Sequence, residues 1–164
     1  YSSTPKEIVD ALKPHIKWSG TFENSQYDAL KAMCYNPNRQ YWGGRKVKRN
    51  GGYLWQGGNC GISNPIAEVR ASMELHNGAC VGFGPRHEII LDTNGSYTLP
   101  NIVGKDVFIF EVNNKNGIEP KGKNLSDSAV KTGGNGCNKT LKNCGAGMYC
   151  AARILREGWQ INYY

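Results

Sequence analysis

Two apolar runs, Ile89-Ile90-Leu91 and Val107-Phe108-Ile109-Phe110, flank a connection studded with residues that favour turns: Asp92, Asn94, Gly95, Pro100, Asn101 and Gly104. The pattern predicts two strands joined by a shaped loop. The second strand, residues 105–113, is β-branched and aromatic. Its apolar middle suits a strand covered on both faces, or on one face with a wet rim. Asn116-Gly117 then offers a tight turn and Ile118 to Pro120 a short returning strand, so the centre of the chain reads as an antiparallel meander.

Helical periodicity predicts elements on either side. Thr4-Pro5-Lys6-Glu7 combines an N-cap, a proline at the first helical position and a glutamate that closes a capping box. Ile8, Leu12 and Ile16 give this helix an apolar stripe, and Pro14 kinks or ends it. Tyr27, Leu30, Met33 and Cys34 predict a second helix within 24–34. Residues 35–61 carry Asn36-Pro37, Gly43-Gly44, Asn50-Gly51-Gly52 and Gly57-Gly58-Asn59, too much turn chemistry for a long element. They read as a surface connection holding at most a short hairpin, 41–48 against 52–56. Ser63-Asn64-Pro65 opens a further helix with Ile66, Val69 and Met73 on one face and Asn77-Gly78 as its stop. Val81 and Phe83 mark a strand that leads into the meander. Residues 122–136 are polar and glycine-rich and read as loop. A last helix over 147–156 buries Cys150, Ala151 and Ile154, and residues 159–163 follow as a closing strand.

These elements predict an α+β fold: N-terminal helices packed on an antiparallel sheet with strands at Cys80–Phe83, 88–91, 105–112, 118–120 and 159–163. All 164 residues are expected to form one domain, with a helical segment at 1–34, a surface loop region at 35–61, and a helix plus the sheet core at 62–164.

Composition narrows the class. The cysteines number six, Cys34, Cys60, Cys80, Cys137, Cys144 and Cys150, and show neither a CxxC pair nor zinc-knuckle spacing. An even count in a chain of this size points to disulfides in an exported protein, although the spacing does not choose among the pairings. A bridge from Cys34 to Cys60, or from each to the main body, would limit the entropy of the long connection. No apolar run approaches the roughly 18 residues of a membrane helix. The net charge of +7, concentrated at 39–49 and 115–142, permits contact with nucleic acid, anionic glycans or lipid headgroups and demands none of them.

Three groups of residues bear on chemistry. His15, His76 and His87 fall on a helix end, a turn and a strand start, and no serine sits in a GxSxG elbow. A secreted basic hydrolase, nuclease- or lysozyme-like, therefore stands as the alternative without a legible acid–base pair. Asp92, Asn94 and Asp106 bring two carboxylates and an amide carbonyl to the ends of one loop, hard oxygen ligands that suit calcium. The EF-hand pattern fails, because Gly95 comes too early and Val103 stands where the bidentate glutamate belongs. The competing role of these residues is to cap turns and loop amides. Finally, Trp42, Arg45, Lys46, Lys48, Arg49 and Trp55 mix cations with flat rings, as stacking on single-stranded DNA or on sugars requires. Their plainer role is a hairpin whose tryptophans pack inward while the cations stay in water.

The order Asp92-x-Asn94-Gly95, Pro100-Asn101, Gly104-Lys105-Asp106-Val107-Phe108-x-Phe110, then Gly117 and Pro120, resembles the central segment of bacterial type IV pilin-like proteins, the prepilin and pseudopilin superfamily. Cys150-Ala-Ala-Arg-Ile154 leading into Gly158-Trp159-Gln-Ile161-Asn-Tyr163 resembles the closing part of the same family. The resemblance implies a pilin-like α/β roll and a non-enzymatic subunit of a type IV pilus or type II secretion-like filament, displayed on the bacterial surface. Its partners would be other pilin subunits, with DNA or a surface glycan as ligands of a minor, adhesive or DNA-uptake subunit. The inner membrane would be met only through an N-terminal apolar helix that such proteins carry and this sequence lacks, so the chain is expected to be the head of a longer subunit. The resemblance also implies that a disulfide from Cys150 to Cys137 or Cys144 staples the C-terminal region. Some members hold calcium in a loop of the sheet domain; no other cofactor is implied.

Overall fold

In the computed structural model, which describes residues 4–23, 69–84, 86–95, 103–113, 115–138 and 147–163, antiparallel pairing runs through six strands in chain order. They are β1 (Trp18–Glu23), β2 (Ala71–Leu75), β3 (Cys80–Phe83), β4 (Glu88–Asp92), β5 (Val107–Asn113) and β6 (Gly117–Pro120). The register sets Met73 against Val81, Phe83 against Ile89 and Ile89 against Phe110. One face of the sheet is thereby continuous and apolar, because side chains alternate with a period of two.

Helix α1 (Pro5–Leu12) covers part of that face. Its start follows the expected chemistry: Thr4 Oγ1 accepts from the Glu7 amide, Glu7 Oε2 accepts from the Thr4 amide at 2.7 Å, and proline occupies the first turn. Val9 is buried among Ala71, Met73, Phe83 and Ile89, with Ile8, Leu12, Val81 and Phe110 around the margin. Two further helices, α2 (Asp127–Thr132) and α3 (Cys150–Arg156), pack together, and α3 lies against β5 and β6. A Cys137–Cys150 disulfide joins the start of α3 to the segment that follows α2. Cys80 is disulfide-bonded as well, and no described cysteine is free. Cys34, Cys60 and Cys144 lie outside the described residues, as do the predicted helix at 24–34 and the loop region at 35–61.

The expected architecture of N-terminal helices packed on a sheet, the pilin-like α/β roll, is overturned. The described residues form mostly a six-stranded antiparallel sheet with three short helices, of which only α1 is N-terminal. Two misread segments explain the difference. Val69 and Met73, taken as one helical face, lie four positions apart, and four residues is also two full strand repeats. Val69, Ala71 and Met73 are all buried, Ala71–Leu75 is a strand, and Asn77-Gly78 turns a hairpin instead of stopping a helix. Beyond Pro14, where the chain cannot remain helical, residues 18–23 supply the unforeseen edge strand β1.

Two corrections fall near the C-terminus. The expected loop at 122–136 contains α2, whose N-cap Ser126 accepts from the Ala129 amide. The expected strand at 159–163 joins no sheet. Gly158 and Trp159 both take positive φ, and the last anchor is Tyr163, fully buried, whose hydroxyl donates to the Gly104 carbonyl at 2.7 Å.

Burial predicts unequal costs for the same truncation. Ile90, with no exposed surface, should lose about 2–5 kcal/mol on substitution by alanine, from lost transfer and the cavity left behind. Ile118, 63% exposed on β6, should lose about 0.5 kcal/mol or less. Urea unfolding of Ile90→Ala and Ile118→Ala measures the difference, and equal midpoints would show that the β4 face is not the core.

Candidate functional site

Strand periodicity puts a carboxylate where an apolar residue would be expected. Glu88, Ile90 and Asp92 share one face of β4, and Asp92 pairs across to Cys80 on β3 and to Val107 on β5. Ile90 and Val107 are fully buried, and so is Asp92. An ionised carboxylate placed there without compensation costs several kcal/mol or takes up a proton instead.

The loop that follows is fastened to hold this carboxylate in place. The amide and hydroxyl of Thr93 both donate to the Asp106 carbonyl, at 2.8 and 3.0 Å, which draws the two ends of the 92–106 connection together. Gly95 runs at φ +80°, and a Cβ there would stand 2.2 Å from the Gly78 carbonyl oxygen. A side chain at 95 would therefore push the loop off the β2–β3 turn. Asp106, itself buried, lies close enough to Asp92 for its negative charge to be felt there.

Sequence reasoning grouped Asp92, Asn94 and Asp106; in the fold the charge of Asp106 reaches Asp92, and Asn94 lies two residues along from Asp92. Neither oxygen of Asp92, nor Oδ1 of Asn94, has a hydrogen-bond partner among the described residues, although all three atoms are buried. Burial above all, and the charge of Asp106 next, push the Asp92 carboxyl up to about 8. The nearby amides of Gly95 and Asn94 oppose this but do not reach hydrogen-bonding geometry with the carboxylate.

Other buried carboxylates of the sheet are treated differently. Glu88 is paired with Lys121, and Glu119 with Lys123 at 2.5 Å; among the described residues Asp92 has no such lysine. The unpartnered oxygens of Asp92, with Asp106 beside it and the Asn94 amide oxygen two residues along, are hard donors of the kind a divalent ion takes together with carbonyl and water oxygens.

The three histidines are not drawn together. His15 and His76 stand at one end of the sheet and His87 at the other, all three exposed. Trp42, Arg45, Lys46, Lys48, Arg49 and Trp55 lie outside the described residues. Sequence reasoning missed the roles of Thr93, Gly78 and Tyr163, whose contacts join positions far apart along the chain. The Asn77-Gly78 and Asn94-Gly95 pairs were visible as turns, but nothing in them said that one turn packs on the other.

Comparison of the chain with protein-family models, curated proteins and solved structures finds no match.

Two measurements follow from the site. Calcium at 100 times its Kd should stabilise the protein by about 2.7 kcal/mol, read as a rise in Tm over the chelator-treated sample, and Asp92→Asn should abolish most of that rise. No calcium-dependent shift in the parent protein would rule the ion out. In chelator the sign of the pH dependence is unusual. An aspartate raised to about 8 in the folded state keeps its proton where the unfolded chain has released it, so stability should fall as pH rises from 5 to 8. Asp10, held down to about 2 by hydrogen bonds from Lys13 and Lys6, and Glu119 and Asp127, lowered chiefly by Lys123 and Lys131, have finished titrating below that window. Asp92→Asn should flatten the slope of Tm against pH, and an unaltered slope would assign it to another group.

Proposed function

We propose that this chain is the displayed head of a non-enzymatic subunit of a bacterial extracellular filament, of the type IV pilin-like or pseudopilin kind. The observation that carries the reading is where its two resemblance segments meet. The central segment and the closing segment are separated by 29 residues of sequence, yet Gly104 of the first touches Cys150 and Tyr163 of the second. A Cβ on Gly104 would lie 2.6 Å from Cys150 Sγ, and the Tyr163 hydroxyl binds the Gly104 carbonyl. Residues read separately as marks of one family are thus parts of one packed unit, which favours a shared structural role over chance likeness.

The chemistry of the domain is compatible with such a role. Disulfides at Cys80 and at Cys137–Cys150 suit the oxidising conditions outside the cytoplasm. We take calcium as the ion for Asp92, Asn94 and Asp106: it would let both carboxylates stay charged within the sheet and fasten the loop for display. A filament subunit must keep its shape while exposed to solvent, and cross-links by sulfur and by a metal ion serve that need where the core is small.

Immunogold electron microscopy of expressing cells with an antibody against this domain tests the reading. Label along surface filaments, lost when the gene is deleted, is the expected result. Antigen found only as a freely diffusing protein in the medium would overturn it and reopen the search for a hydrolase.

A further inference from the structure

The far end of the cation loop is gripped by the C-terminal segment. Val103 and Gly104 stand just ahead of Asp106, and the Gly104 amide donates to the Val107 carbonyl at 2.8 Å. Gly147, at φ +89°, approaches so closely that a Cβ there would stand 2.2 Å from the Val103 carbonyl oxygen. Tyr163 reaches in from the other side: its hydroxyl donates to the Gly104 carbonyl, and the Arg153 guanidinium lies 5.3 Å from the centre of its ring. Arg153 is in turn held by the Cys137 carbonyl at 2.6 Å and by Glu157 at 2.8 Å.

Between these anchors the chain is open to solvent. Trp159 is 75% exposed and Ile161 47% exposed, and the Trp159 amide donates back to the Ile154 carbonyl. Residues 157–162 therefore bury little surface of their own, and their place depends strongly on Tyr163 finding the Gly104 carbonyl. That carbonyl lies two residues from Asp106, within the stretch that must be shaped correctly for Asp106 to face Asp92.

We propose that residues 157–163 form a latch coupled to the cation site, so that occupancy of Asp92, Asn94 and Asp106 and docking of Tyr163 on Gly104 each favour the other. The proposal rests on the reading of those three residues as cation ligands. The coupling is reciprocal, since a bound ion can stabilise the latch only as far as the latch stabilises the bound ion. An occupied loop holds the Gly104 carbonyl toward Tyr163. An empty loop lacks that brace, and the tail is held less firmly.

Two measurements on the intact, disulfide-bonded chain test this. Calorimetry with calcium chloride should show binding to the parent protein, a Kd about five- to tenfold weaker in Tyr163→Phe, which loses the hydroxyl and keeps the ring, and an unchanged Kd in the exposed-site control Ile161→Ala. Hydrogen exchange of the parent protein, which needs no variant, should show amides of 157–163 losing protection when calcium is replaced by chelator. Absence of calcium binding in the parent protein would overturn the cation reading and the latch together. Binding that is equal in parent and Tyr163→Phe, or tail protection indifferent to calcium, would overturn the latch alone and leave the cation site standing.

Discussion

A carboxylate shut away from water sets the terms for the middle of this sheet. Asp92 continues the face occupied by Ile90 and has Asp106 beside it, so its charge must be cancelled by a proton or by a cation. The neighbouring backbone is arranged accordingly: Thr93 binds the two loop ends together, and Gly95 lets the loop sit directly on the β2–β3 turn. Neither feature would be needed to bury an apolar residue at position 92. Both make sense if the site must hold its shape around a charge.

The same sheet contains its own comparison. Glu88 faces Glu111 across the β4–β5 ladder, and Glu111 faces Glu119 across β5–β6, so three acidic side chains stand abreast on one face. Like charges directly opposite are unfavourable, and the chain just after β6 answers with Lys121 on Glu88 and Lys123 on Glu119. Where the protein needs a permanent counter-charge it encodes a lysine. At Asp92 no lysine answers among the described residues, and both carboxyl oxygens are left without a hydrogen-bond partner there.

Stability in the C-terminal third comes from close contact more than from apolar area. Gly104 and Gly147 have no room for a side chain, and the Cys137–Cys150 bond lies beside them with Tyr163 and Phe108. Arg153 gathers the ends of this unit, touching the Cys137 carbonyl, Glu157 and the ring of Tyr163. On the other side of the core, α1 contributes one deeply buried residue, Val9, to a cluster otherwise supplied mainly by the strands. The sheet organises the domain, and the short helices cover and brace it.

Much of the local structure was legible in the sequence, because its causes lie within a few residues. The capping box of α1, the strands β3 to β6 and the turn residues of the 92–106 loop all follow from nearest-neighbour chemistry, as does the placing of Asp92, Asn94 and Asp106 at the two ends of that loop. Tertiary structure decided what local chemistry left degenerate. The spacing of Val69 and Met73 fits a helix and a strand alike, and only pairing with β1 and β3 resolves it. It also decided that Cys150 pairs with Cys137 and that Tyr163 ends on the Gly104 carbonyl instead of extending the sheet. Those outcomes depend on contacts between residues far apart in the chain, whose energies no local pattern records.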